Sequence, residues 1–134
     1  MSPGFHFISS VIFIIFLRLF SVKLPFLLGF FFSAAFLDID HFFYYLLKFK
    51  DLNIKKAFRF FESIQHQPKK AFCILHTLEF VFATILLTLI FKRNFFEGFL
   101  CGLLFHLLID LIQGIYYKRV NYRWWSLFQY LSSR

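Results

Sequence analysis

Carboxylate and imidazole side chains recur inside three apolar stretches of this sequence. In chain order they are Asp38, Asp40, His41, His76, Glu79, His106 and Asp110. An aspartate near the middle of a membrane helix costs about 2.5 to 3.5 kcal/mol on insertion scales, so it is retained there only with a partner or a function. We therefore interpret these side chains as one functional site, which the fold must assemble from separate segments.

These side chains are the ligand types of a hard or borderline divalent ion, most simply Zn²⁺, with Mn, Fe and Mg as alternatives. The predicted metal ligands are His6, Asp38, His41, His76, Glu79, His106 and Asp110. His6 on its own is typical of an interfacial residue, and it is included because it enters from the same side as the others. The number of ligands allows one or two ions. The alternative is a set of neutral hydrogen bonds that hold helices together, each contributing about 1 kcal/mol.

The spacing of these residues predicts which of them share a helix face. Side chains three or four residues apart lie on the same face of a helix. The pairs with this spacing are Asp38 with His41, His76 with Glu79, and His106 with Asp110. Asp40 is rotated well round from Asp38, so we expect one of these two aspartates to point less directly at the site, and Asp40 could instead orient a histidine.

A metal ion in this setting suggests hydrolysis of an ester or phosphoester in a lipid headgroup. A bound ion lowers the pKa of a water molecule, and a carboxylate such as Glu79 or Asp40 is the predicted catalytic base that takes its proton. The sequence contains no GxSxG, P-loop or CxxC motif that would identify another reaction.

The composition indicates a single membrane domain of 134 residues. Hydrophobic residues make up 60% of the chain and charged residues only 16%, with a mean hydropathy of +0.69, which is outside the usual range of soluble proteins. The net charge of +8 does not indicate nucleic acid, because the basic residues flank the apolar stretches and so match anionic lipid headgroups. Cys73 and Cys101 are interpreted as small buried hydrophobic residues.

The apolar stretches predict an all-α, four-span transmembrane bundle, with an amphipathic helix at the membrane interface between spans two and three. The predicted spans are 5–22, 25–47, 71–91 and 95–117, with the interfacial helix at 53–66 and an interfacial tail at 118–134. Residues 5–17 lack the basic start and cleavage site of a signal peptide, so we expect them in the mature protein. Gly98 and Gly102 form a small-xxx-small pair that favours close approach of another helix.

The distribution of basic residues predicts the orientation. With four spans, 11 Lys and Arg residues lie on the side of the termini and about four near the other side, so the positive-inside rule places both termini in the cytoplasm, across the inner membrane. Counted at about 1.5 Å per residue, the polar groups then lie roughly 8 to 17 Å from the cytoplasmic helix ends. Four short helices enclose little volume, so a homodimer is also plausible.

Four sequence elements resemble those of the YdjM-like inner-membrane metal-dependent hydrolases. The elements are Gly4-Phe5-His6, Phe36-Leu37-Asp38-Ile39-Asp40-His41, Leu75-His76-Thr77 and Gly102-Leu103-Leu104-Phe105-His106-Leu107-Leu108-Ile109-Asp110. The chain departs from the family pattern at Leu37, where the family has proline, and at Ala71, where it has histidine. The resemblance implies an intramembrane metal site with hydrolase activity, in which Glu79 could replace the missing histidine.

Two other functions fit the same polar residues. An ion or proton carrier would use them as a relay, but a relay should connect both faces, and the opposite half of the bundle offers little beyond Arg18, Thr84 and Thr88. A structural assembly protein would use them only to fix helix packing. The asymmetry favours a site that is closed on one side, as in an enzyme.

Overall fold

The computed structural model describes residues 3–64, 73–116 and 125–132, and every regular element in these ranges is helical. The elements are α1 (Pro3–Leu19), α2 (Leu24–Phe36), α3 (Ile39–Phe49), α4 (Ile54–Ile64), a 3₁₀ turn (Ile74–His76), α5 (Leu78–Phe91), α6 (Asn94–Tyr116) and α7 (Leu127–Leu131). The predicted all-α class is confirmed.

Two helical stretches are long and apolar enough to cross a membrane. They are Leu24–Phe49, which comprises α2 and α3, and Asn94–Tyr116, which is α6. The apolar helices α1 and α5 are shorter, with 17 and 14 residues. At about 1.5 Å per residue, α5 extends roughly 21 Å, less than the hydrocarbon core of about 30 Å. Of the four predicted spans, two therefore have sufficient length and two are shorter apolar helices.

The closest helix pair is α2 with α6, and glycine residues allow their backbones to touch. A Cβ atom added at Gly29 would lie 2.0 Å from the carbonyl oxygen of Phe95, and one added at Gly98 would lie 2.0 Å from that of Phe26. Gly102 faces the same helix, 2.3 Å by the same measure from a carbonyl oxygen of α2. The close approach predicted for Gly98 and Gly102 is confirmed, and α2 is the neighbour.

Helix α1 packs against this pair through aromatic rings. The ring of Phe13 stacks on Phe30 of α2 and Phe105 of α6, with centroid distances of 5.3 and 4.8 Å. Offset stacking of this kind adds about 0.5 to 1.5 kcal/mol to the burial of apolar area. These contacts fix α1 beside α2 and α6, so that His6, two turns before Phe13, faces the polar centre of the fold.

The predicted single helix over 25–47 is divided by a tight turn at Leu37 and Asp38. The ψ angle of Asp38 is −2°, whereas an α-helix has about −42°, and the N–H of His41 donates to the Asp38 carbonyl at 3.1 Å. The turn changes the direction in which the side chains on either side of it point. Two aspartates that would diverge on a regular helix can therefore both reach one site.

Helix α4 forms within the predicted amphipathic segment and packs against α3. Asn53 caps it, since its Oδ1 accepts a hydrogen bond from the N–H of Lys56 at 3.1 Å. The ring of Phe60 lies on that of Tyr45, with centroids 5.6 Å apart. Ala57, one turn earlier, is buried. The helix is thus confirmed, with its packing face centred on Ala57 and Phe60.

The end of the chain returns to the start of α5. The backbone N–H of Leu78 donates to the carbonyl oxygen of Trp125 at 2.9 Å, immediately before α7. Residues 65–66 of the predicted interfacial helix, 71–72 of the predicted third span, and 117–124 and 133–134 at the end of the chain lie outside the described residues.

Candidate metal centre

Helix α6 contributes His106 and Asp110, which are both buried. The Nδ1 atom of His106 lies 2.9 Å from the carbonyl oxygen of Ala34 in α2. A carbonyl oxygen only accepts hydrogen bonds, so Nδ1 must carry the hydrogen. In the neutral ring Nε2 is then unprotonated, and its lone pair points into the space between the helices.

The 3₁₀ turn before α5 contributes His76, which is also buried. Its Nδ1 atom lies 3.1 Å from Oδ2 of Asp40, and the same oxygen accepts the backbone N–H of Leu75 at 3.0 Å. The carboxylate fixes the ring orientation and makes Nδ1 the donor, so Nε2 of a neutral His76 is again a free lone pair. Asp40 therefore orients a histidine, which is the alternative that its helical position suggested.

Four ligand atoms converge at these two imidazoles, and we call Asp38, His76, His106 and Asp110 the four-ligand cluster. The two Nε2 atoms are 3.2 Å apart. Asp38 Oδ1 lies 3.6 Å from both of them, and Asp110 Oδ2 lies 3.6 and 3.8 Å from them. A tetrahedral ion with bonds of about 2.0 to 2.1 Å requires ligands about 3.3 to 3.4 Å apart. The cluster is therefore close to the dimensions of a zinc site.

His6 lies beside this cluster and contacts two of its members. Its Nε2 atom is 3.1 Å from Oδ1 of Asp110, and its ring stacks on that of His106 with centroids 4.0 Å apart and planes 20° apart. His6, His106 and Asp110 form one of the three groups whose side chains could hold a metal ion. In this arrangement His6 orients Asp110 while the other carboxylate oxygen faces the two imidazoles.

A further group lies on the outer side of Asp38. The Nδ1 atom of His41 is 3.3 Å from Asp38 Oδ1 and 3.0 Å from Asp40 Oδ1. Asp40, His41 and Cys73 have ligand atoms within 4.8 Å of one another. Sequence reasoning treated Cys73 as a buried hydrophobic residue, and the signal that could have identified it is its position three residues before His76.

Glu79 is the one predicted ligand and predicted base that lies outside the cluster. Thr77 has extended backbone angles, φ −89° and ψ 155°, and caps α5, so His76 and Glu79 do not share a helix face. The Glu79 carboxylate is exposed and accepts hydrogen bonds from the Ser126 hydroxyl at 2.5 Å and the Leu127 N–H at 3.1 Å. The structure thus corrects the assignment of Glu79, which anchors the start of α7.

The comparisons with known proteins add no family to this geometry. No protein-family model matches the chain. No curated protein and no solved structure matches it either. Function must therefore be argued from the chemistry of the site itself.

Proposed function

We propose that this chain is a membrane-embedded, zinc-dependent hydrolase that cleaves an ester or phosphoester bond of a lipid or lipid-linked molecule. The observation that carries the proposal is the meeting of two imidazole Nε2 atoms at 3.2 Å, with a carboxylate oxygen on each side of them. The resemblance to the YdjM-like family points to the same chemistry.

The hydrogen bonds around the two histidines favour a cation at this point. Their Nδ1 atoms face the acceptors Ala34 and Asp40, so two neutral rings would direct two lone pairs at each other. A divalent ion between them turns this repulsion into coordination, and it also neutralises the charge of Asp38 and Asp110. A ligand set of two nitrogens and two oxygens suits Zn²⁺, and Fe or Mn could take the same ligands.

The exposed surface supports a membrane location. Many large apolar side chains on α1 and α5 face outwards, including Leu19 at 78% and Ile90 at 71% exposure, and contiguous apolar surface of this kind marks contact with lipid or a partner. We propose that α1 and α5 complete four spans, where the bilayer thins locally around shorter helices. Basic residues of α4 would then contact anionic headgroups of the cytoplasmic leaflet, with both termini on that side of the inner membrane.

An apolar groove beside the cluster suits a lipid substrate. It has a volume of about 490 Å³. Its lining residues are Ile39, Asp40, Phe43, Tyr44, Leu47, Ile74 and Leu75. Because Asp40 also holds His76, the polar end of the groove adjoins the proposed metal centre. An acyl chain along α3 would place the ester group of the same lipid near the ion.

The proposed chemistry assigns a role to each oxygen of Asp38. A divalent ion bound here supplies Lewis acidity, which polarises the ester and lowers the pKa of water. Asp38 Oδ1 faces the two imidazoles, while its Oδ2 is buried and has no hydrogen-bond partner among the described residues. Oδ2 can therefore accept a proton from water, the role that the sequence suggested for Glu79 or Asp40.

The Glu79→Gln variant is expected to keep the metal content of the wild type, because Glu79 contacts only Ser126 and Leu127 at the start of α7. Purified protein in mild detergent would be loaded with zinc, and the bound metal counted by mass spectrometry. A fall in bound zinc in this variant would show that the glutamate reaches the centre after all.

Hydrolysis itself is tested with zinc-loaded protein in vesicles of phosphatidylglycerol and phosphatidic acid, alongside a soluble aryl phosphate and an aryl ester. We expect turnover of at least one lipid, and a loss of about a hundredfold or more in the Asp38→Ala variant, which removes both a ligand and the proton acceptor. Glu79→Gln serves as the matched control and should retain the activity. Protein that holds zinc and hydrolyses none of these compounds would contradict the hydrolase proposal.

A further inference from the structure

A thiol lies within the polar centre, outside the four-ligand cluster. Cys73 is buried, with 2% of its surface exposed, and is not in a disulfide. Its sulfur lies within 4.8 Å of ligand atoms of both His41 and Asp40. Imidazole, carboxylate and thiolate are three of the ligands that zinc takes most often in proteins.

One oxygen of Asp38 connects this group to the four-ligand cluster. Asp38 Oδ1 is 3.6 Å from Nε2 of both His76 and His106, and it is also 3.3 Å from Nδ1 of His41. The same oxygen therefore faces two separate sets of ligand atoms. A carboxylate shared in this way is the usual bridge between two metal ions about 3.5 to 4 Å apart.

The charge of the centre also favours two ions. Asp38, Asp40 and Asp110 carry three negative charges when ionised, and a single divalent ion cancels only two of them. If Cys73 is a thiolate, the four negative charges are balanced by two divalent ions. Buried charge is strongly unfavourable unless it is compensated, so full neutralisation requires the second ion.

We propose that the chain holds a second divalent ion, bound by the Cys73 thiolate, His41 and Asp40 and bridged to the first ion through Asp38. The inference rests on the proposed metal centre and extends it to a binuclear site with one soft ligand. Asp40 has a separate oxygen for each task, since Oδ2 faces His76 and Oδ1 faces His41. His41 is 18% exposed, which leaves this second position open to the groove.

Titration with Co²⁺ tests the second site, because a cobalt–thiolate bond gives a charge-transfer band in the near ultraviolet. Metal-free wild-type protein in detergent is expected to bind two equivalents, with the thiolate band. The Cys73→Ser variant should lose the band and bind one equivalent. Cys101→Ser is the matched control, because Cys101 is exposed on α6, and it should behave as the wild type. Circular dichroism checks that each variant keeps its helix content, and Cys73→Ala provides a second substitution.

The outcomes separate this inference from the proposed function. Wild-type protein that saturates at one equivalent without a thiolate band would overturn the second site and leave the first centre standing. A band that persists in both Cys73 variants would equally overturn it. Wild-type protein that binds no cobalt at all would overturn both proposals.

Discussion

The His106→Ala variant is expected to lose zinc affinity by more than about a hundredfold. The substitution removes Nε2, one of the two imidazole nitrogens at the centre, and also the hydrogen bond to Ala34 that fixes the ring. Loss of a mere hydrogen-bond partner of a metal ligand typically costs about 10 to 100-fold in affinity, so loss of the ligand itself should cost more. Competition with a fluorescent zinc chelator measures the affinity directly.

Two further variants make this prediction specific. His106→Gln fills most of the same volume with an amide that is a poor zinc ligand, so it should lose zinc while preserving the packing around His6. Glu79→Gln changes a carboxylate outside the cluster and should keep the wild-type affinity. If His106→Gln binds zinc as tightly as the wild type, the four-ligand cluster is not a metal centre.

The Gly98→Ala variant is expected to destabilise the protein by about 1 to 3 kcal/mol, the usual cost of overpacking. In an isolated helix, alanine would be better than glycine by about 1 kcal/mol. In this fold the added Cβ would lie 2.0 Å from the carbonyl oxygen of Phe26, which belongs to the backbone of α2 and cannot move aside alone. The clash outweighs the gain in helix propensity, and thermal unfolding in detergent measures the difference.

Cys101→Ala is the matched control for this clash, because position 101 lies in the same helix with its side chain exposed. It should unfold within about 0.5 kcal/mol of the wild type. Separation of α2 from α6 should also weaken zinc binding, since the bond between Ala34 and His106 crosses this interface. Gly98→Ala protein as stable as the wild type would contradict the close packing of the two helices.

Several features of the fold and site follow from the sequence because they depend on residues within one helix. The spacing of His106 and Asp110 places both on one face of α6, where they lie together. Gly98 and Gly102 mark the face at which another helix approaches. The shared depth of the polar residues in their apolar stretches predicted a common site, and Asp38, His76 and His106 do meet in space.

The remaining features depend on contacts between distant segments or on local turns. Thr77 is extended before α5, so the rule of three-residue spacing fails for His76 and Glu79. The turn at Asp38 likewise directs both Asp38 and Asp40 to His76, although their spacing on a regular helix would separate them. The placement of Cys73 follows from the turn that carries His76, which no helical periodicity describes.

The most direct test of the metal centre is X-ray absorption at the zinc edge, measured on Cys73→Ser protein loaded with one equivalent of zinc. That variant isolates the four-ligand cluster from the proposed second site. We predict about four nitrogen and oxygen ligands at about 2.0 to 2.1 Å, with the scattering signature of two imidazoles. A protein that retains no zinc, or a zinc shell without imidazole, would contradict the assignment of Asp38, His76, His106 and Asp110 as a metal centre.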